Sequence, residues 1–409
     1  MYAGKTMSEV RRHGRYFLLA DHAIVVMGFY TVFPLLSSHF VNQLGWSAAL
    51  VGLALGLRQV AQHGTGLFTG ALADRYGGKR CICVGMLVRA LSFAVFAYAN
   101  NFLLLLLACL LSGAGGALFE PPRSALAIKL SHNHERPAFY SWAMAQENLM
   151  AGLGALLGVS LLVYDFYWVA LSGSVCFSLV AIMNWIYLPD YRISRGQHDW
   201  RQSIAKVLAD HNYVGLVLSF SGYFLLYMQT MLLLPLHMQT LTGNSQSIAW
   251  MFILHSGLSL VMGLGLASKL TRYLQTQQQI LSGLVLLVLS MLGLAWSQTV
   301  SAAWLSLGFF YLGLLLVEPA RENLLAQYTP AQARASYTGF ARMGLAIGGL
   351  IGYLAGGRLF DYAKTNDNSA LIFYSLGGIA FLTLMILAYR FKQLNAVQAN
   401  AALLADCNS

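Results

Sequence analysis

Charge is what this sequence has least of. Only 10% of its 409 residues are Asp, Glu, Lys or Arg, against roughly 25% in a soluble globular domain. With 57% apolar residues, so few charges cannot cover the surface of a water-soluble fold. Disorder, collagen, a coiled coil and an ordinary cytosolic enzyme are excluded together. Cysteine is scarce as well. The five (Cys81, Cys83, Cys109, Cys176 and Cys407) are odd in number and mostly inside apolar runs. No disulfide framework is expected, and Cys81-x-Cys83 lacks the spacing and second ligand pair of a zinc site. Strand-like alternation is missing, which removes a β-barrel. There is no P-loop, no serine elbow, no H-E-x-x-H and no dinucleotide fingerprint. Neither an enzyme nor a nucleotide-driven machine is expected, and no metal or other cofactor.

What the chain has instead is apolar runs of spanning length, about 20 residues. They fall at 16–38, 47–73, 81–99, 102–125, 137–163, 168–188, 213–237, 248–268, 278–297, 302–327, 337–359 and 370–390. The expected fold class is an all-α membrane protein of twelve transmembrane helices. A basic stretch (Lys5, Arg11, Arg12, Arg15) leads into the first run, no A-x-A-like site follows it, and the run is expected to stay as span 1. The longest polar segment, Pro189 to Asn212, divides the chain six plus six. The expected organisation is a cytoplasmic segment 1–15, a six-helix bundle 16–188, a central loop 189–212, a second bundle 213–390 and a tail 391–409.

The net charge of +10 sits between the runs, so it reads as membrane topology and not as nucleic-acid binding. With the N-terminus cytoplasmic, eighteen Lys/Arg fall on the cytoplasmic side and two, Arg358 and Lys364, on the other. Both termini are therefore expected in the cytoplasm. An internal repeat supports two related halves. Phe119-Glu-Pro-Pro-Arg-Ser-Ala-Leu126 in span 4 recurs as Val317-Glu-Pro-Ala-Arg-Glu-Asn-Leu324 in span 10. Two six-helix halves related along the membrane normal are one repeat plan of secondary transporters.

The sharpest motif lies between spans 2 and 3: Gly70-Ala-Leu-Ala-Asp74-Arg75-Tyr-Gly77-Gly78-Lys79-Arg80. It reads as a helix end, a tight turn in which Gly77 and Gly78 supply positive φ, and fixed charges that can latch one conformation. This stretch resembles the signature of the major facilitator superfamily. Together with the 119–126 and 317–324 repeat and the opening Tyr16-Phe-Leu-Leu-Ala-Asp21, it is similar to the twelve-span drug:proton antiporter branch. The resemblance implies two pseudo-symmetric bundles and proton-driven export of small, largely hydrophobic or amphipathic drugs across a bacterial inner membrane. The proton gradient is then the energy source, and the working unit a monomer in the bilayer. The chain departs from that branch where Cys109 precedes Gly113 in span 4 and where span 5 reads Gly152-Leu-Gly154-Ala-Leu-Leu-Gly158 without Pro.

Ionisable residues within spans are functional candidates by default. Glu147, flanked by Gln146 and Asn148, lies roughly 15 Å into span 5 at 1.5 Å per residue. It is the first candidate for the proton carrier, and Asp21 in span 1, beside His22, is the second. Arg58 and Arg89, deep in spans 2 and 3, need partners; they are read as structurally paired, for example with a carboxylate such as Glu147, or as groups that modulate the proton carboxylate or hold an anionic part of a substrate. Glu120/Arg123 and Glu318/Arg321, each i, i+3 at the cytoplasmic ends of spans 4 and 10, are read as gate or charge-relay elements, with Arg75 the expected partner of Glu120. Arg342 is placed near Asp74. Tyr30, Phe33, Gln62, Tyr223, Tyr227, Phe310 and Tyr311 are candidates to line a cavity. The Gly344, Gly348, Gly352, Gly356 ladder in span 11 predicts close helix packing. Two other readings stay open: an exporter or facilitator of one metabolite or siderophore, and a sensor or assembly partner without transport.

Overall fold

The computed structural model describes residues 7–65, 69, 72–73, 75–130, 136–188, 200–263, 273–330 and 334–407. Among them there is helix and no strand. In a bilayer this is forced, because every backbone polar group must find its partner within the chain. Among the described residues, ten helices are long and apolar enough to cross a membrane. Span 1 is Met7–Ser37 continued by a π-helical turn Ser38–Gln43, and span 3 is Gly78–Ala97. Spans 4, 5 and 6 are Phe102–Leu130, Arg136–Leu162 and Phe166–Tyr187. Spans 9 to 12 are Thr276–Trp296, Val300–Gln327, Arg334–Thr365 and Ala370–Cys407. Two shorter apolar helices complete the twelve: span 2, Ala48–Gln59 with a π turn Val60–Gly64, and span 8, Gln246–Val261. The fold is twelve transmembrane helices in two six-helix bundles.

Span 7 is broken into several pieces. It runs as His211–Ser219, Ser221–Tyr227, a 3₁₀ turn Met228–Met231 and Leu233–Thr242. Pro235 sits in the first turn of the last piece, where its missing N–H costs nothing. Asp210 starts the span, its carboxylate accepting from the Tyr213 amide at 3.0 Å. Within the central segment, Trp200–Ala209 forms a short helix. Gly77 takes φ +92°, as the turn requires, whereas Gly78 has no positive φ and opens the span 3 helix.

Glycine decides which helices touch. The predicted ladder packs on span 7, rung by rung. A Cβ at Gly344, Gly348, Gly352 or Gly356 would meet Val217, Ser221, Leu225 or Gln229, four residues apart each time. The other side of span 11 lies against span 2 of the first half. There a Cβ at Gly349 would meet Gln59, and one at Gly56 would come within 3.0 Å of Leu350 Cα. In span 5, Gly154 and Gly158 press on the span 1 backbone at Met27 and Thr31, while Gly152 faces Ser256 of span 8. Spans 5 with 8 and 2 with 11 are therefore the seams between the halves.

Candidate functional site: a carboxylate–imidazole cavity and two charge chains

Span 5 points its three polar neighbours three ways. Gln146 Nε2 donates to the Leu19 carbonyl of span 1 at 2.9 Å. Asn148 Nδ2 donates to Ser259 Oγ across the seam at 2.7 Å, and Ser256 Oγ bonds the Asn148 carbonyl. Glu147, between them, lies with its Oε2 3.4 Å from His22 Nε2. Its side chain is 49% exposed and lines a half-open pocket of about 180 Å³. Leu18, Leu19, Arg123, Phe139 and Met144 also line that cavity. Its volume leaves room for several waters but falls below the 300–1,000 Å³ of a drug-sized site. The pair is thus a wet carboxylate and imidazole at the foot of spans 1, 4 and 5. Glu147 also lies within Coulombic reach of Arg123 and of His255 in span 8.

Asp21 is one residue from His22 but lives in another environment. It is 1% exposed. Arg123 Nε lies 3.4 Å from its Oδ2, and Asn184 Nδ2 of span 6 donates to its Oδ1 at 2.5 Å. Arg123 also reaches the Leu18 carbonyl at 3.3 Å. A charge this deep persists only with such partners. The arrangement ties spans 1, 4 and 6 together.

Arg58 and Arg89 do not meet Glu147. Arg58 donates to Gln62 Oε1 at 2.7 Å and to Gln59 Oε1 at 2.5 Å, with its guanidinium over the rings of Phe33 and Phe29. Arg89 reaches the Ser112 carbonyl at 3.4 Å and lies over Phe119, Phe177 and Phe29. Side-chain amides and aromatic faces do the work that carboxylates were expected to do. Gln62 passes the link on: its Nε2 donates to Glu120 Oε1, and Glu120 Oε2 takes Arg342 Nη1 at 3.2 Å. The chain Arg58–Gln62–Glu120–Arg342 therefore crosses from span 2 through span 4 to span 11 of the second half. Arg75 was the expected partner of Glu120, but Arg342 holds that place. Arg75 lies over the Tyr76 ring.

The repeat is wired differently in its second copy. Arg321 bonds Glu318 at 2.6 Å and Glu322 at 2.6 Å, and Tyr223 OH donates to Glu318 Oε2 at 3.0 Å. The sequence gives the reason. At the offset of 198, Arg342 corresponds to Met144, so Glu318 has no trans cation. At the offset of 201, Asp21 corresponds to Gly222, so nothing draws Arg321 away.

The Major Facilitator Superfamily model matches residues 22–320. The chain belongs to the major facilitator superfamily. It is 44% identical over 387 residues to the multidrug resistance protein MdtH of Yersinia enterocolitica, covering 95% of this chain and 96% of the relative. MdtH of Yersinia pestis matches to the same extent. Among solved structures, the nucleoside transporter NupG superposes with a TM-score of 0.79 at 13% identity, over 92% of this chain and 100% of that one. The peptide transporter POT in complex with alafosfalin gives 0.76 at 16%, over 93% and 94%. These two show the fold. Family and fold make this protein a membrane transporter and not an enzyme.

In a facilitator of this kind the remaining candidates fall into two groups. Tyr30 packs edge-on against Phe252 of span 8, Tyr311 lies 5.0 Å from the His255 ring, and Tyr227 lies 6.3 Å from Tyr223. The first of these contacts crosses between the halves. Phe33 and Phe310 are buried at 1% and 0%; Phe33 packs with Phe29, Phe93 and Phe96 and serves the core. Gly70 and Asp74 lie outside the described residues, so the Asp74–Arg342 pairing does too. Gly77 closes the turn, while Lys79 lies 5.7 Å from the Trp185 ring and Arg80 is exposed. His22, Asn184 and His255 were not singled out as partners from sequence; only the adjacency of His22 to Asp21 hinted at one. Among the described residues no group of three His, Cys, Asp or Glu forms a metal site.

Proposed function

We propose that this protein exports small hydrophobic or amphipathic drugs across a bacterial inner membrane in exchange for protons, with both termini in the cytoplasm. The observation that carries the coupling is the Glu147–His22 pair in its cavity. A carboxylate that trades a proton with water must be reachable and must have a partner that feels the change. Glu147 meets both conditions, and Asp21, sealed between Arg123 and Asn184, meets only the second. When Glu147 takes a proton it loses its attraction for His22, and the grip of span 5 on span 1 weakens at that point. Span 5 is also a seam to span 8 through Asn148. Protonation then biases the two halves between their arrangements, which is the only way a ligand moves such an equilibrium. The 44% identity to multidrug resistance proteins over nearly the whole chain supports the drug class, and the Tyr30–Phe252 contact across the seam suits apolar ligands.

The proposed layout is a cytoplasmic segment 1–15, bundles 16–188 and 213–390, the loop 189–212 and the tail 391–409, acting as a monomer. The test is drug accumulation in cells lacking their own pumps. Expression of the protein lowers steady-state accumulation of a lipophilic fluorescent drug, and a protonophore restores it. Accumulation lowered equally with and without the protonophore overturns proton coupling; no change for any drug, with the protein present in the membrane, overturns the substrate class.

A further inference from the structure

At the end of the bundle away from the termini, one carboxylate of the second half makes three bonds to the first. Asp361 lies near the end of span 11, and its Oδ2 accepts from Ser47 Oγ at 2.6 Å and from the Ala49 amide at 3.0 Å. Its Oδ1 accepts from the Ala48 amide at 2.8 Å. Those amides open the span 2 helix and have no acceptor within it. The carboxylate also meets the positive end of that helix. A residue of the second half thus caps a helix of the first. Beneath the cap the two spans touch backbone to backbone. A Cβ at Gly357 would stand 2.7 Å from Ala49 Cα, and one at Gly52 would stand 2.9 Å from the Tyr353 carbonyl carbon. Beside it Asn42 donates to Gln239 at 2.6 Å, joining spans 1 and 7. Ser47 Oγ also lies 3.4 Å from the Leu50 amide, in the position of an ordinary N-cap. That contact does not depend on Asp361, so span 2 keeps one capped amide when Asp361 withdraws and only the Ala48 and Ala49 amides are released.

We propose that Asp361 is a positioning residue of the transport cycle: its carboxylate holds the outer ends of spans 2 and 11 together and leaves span 2 each time the outer face opens. This rests on the reading that the two halves rock about a central site. The test is pulsed electron paramagnetic resonance on the full chain in lipid nanodiscs. Spin labels go on Asn101→Cys and Thr299→Cys, exposed positions in the loops between spans 3 and 4 and between spans 9 and 10, in a background whose own cysteines are replaced. Asp361→Asn keeps the size of the side chain and loses its charge. It raises the ratio of long to short distances about tenfold, which is about 1.4 kcal/mol. Ser47→Ala, which removes one of three bonds, shifts the same ratio less. Asp367→Asn, at the exposed turn beyond the helix, leaves it unchanged. If Asp361→Asn lowers only the melting temperature and leaves the distances as in wild type, Asp361 is a plain helix cap and the proposal fails. A wild type that opens with drug while Asp361→Asn opens no further sinks the latch and spares the transport reading. If neither protein opens under any condition, both fall.

Discussion

Asp21 and Glu147 are both carboxylates in spans, and their surroundings predict opposite results when each is neutralised. Replacing Asp21 by Ala removes a group that is 1% exposed and leaves Arg123 without its carboxylate partner. Breaking a buried ion pair from one side costs about 3–5 kcal/mol. The Asn184 amide loses its 2.5 Å acceptor as well, which places the variant in the upper part of that range. At roughly 2 °C per kcal/mol for a chain of this size, the melting temperature in detergent falls by about 8–10 °C. Removing Arg123 too relieves the stranded charge, so Asp21→Ala/Arg123→Ala melts above Asp21→Ala alone. Glu147→Gln, by contrast, replaces a half-exposed side chain facing a cavity and melts within about 2 °C of wild type, yet loses coupling. Fluorescence-detected size-exclusion after heating reads all four proteins. If Asp21→Ala melts within 2 °C of wild type, or if the double variant is the least stable of the set, Asp21 is not the buried partner that holds Arg123.

Other outcomes follow from the same contacts. Gly352→Ala puts a Cβ 2.9 Å from the Leu225 backbone and destabilises by about 1–3 kcal/mol, whereas Gly308→Ala meets nothing within 4 Å and is neutral or stabilising by up to about 1 kcal/mol; thermal melts of the two separate a packing glycine from an idle one. Arg342→Ala breaks the link from span 11 to Glu120 at a half-exposed site, so stability changes by less than about 1 kcal/mol while drug efflux slows several-fold in vesicles. Met228 lies on the Gln59 amide, and Gln59→Leu, which strips Arg58 of one acceptor and leaves a buried guanidinium donor unmet, lowers the melting temperature by about 2–6 °C.

The number and order of spans were legible because lipid leaves so little choice: a run of about 20 apolar residues has one stable form there. The glycine ladder of span 11 was legible for a similar reason, since small residues at every fourth position serve only close approach. Its second face, Gly349 and Gly357 against span 2, lies off that period and passed unnoticed. Partners were harder. Sequence spacing offers i, i+3 pairs, so Glu120 and Arg123 read as a pair, yet Arg342 takes one and Asp21 the other. Those partners are 222 and about 100 residues away, and only the fold brings them together. Arg58 and Arg89 teach the same lesson about chemistry. A buried cation demands acceptors, but nothing in the local sequence says whether they are carboxylates, amides or ring faces. Asp361 carries no sequence motif, and its role rests on its three contacts to span 2, which only the fold brings together.

The central claim is that drug moves out as protons move in through Glu147. Everted vesicles energised to an acidic interior, with a pH-sensitive dye inside, test it directly. Addition of a transported drug should release protons from wild-type vesicles, and should release none from vesicles carrying Glu147→Gln at equal protein level. Proton release that is the same in both would contradict the account.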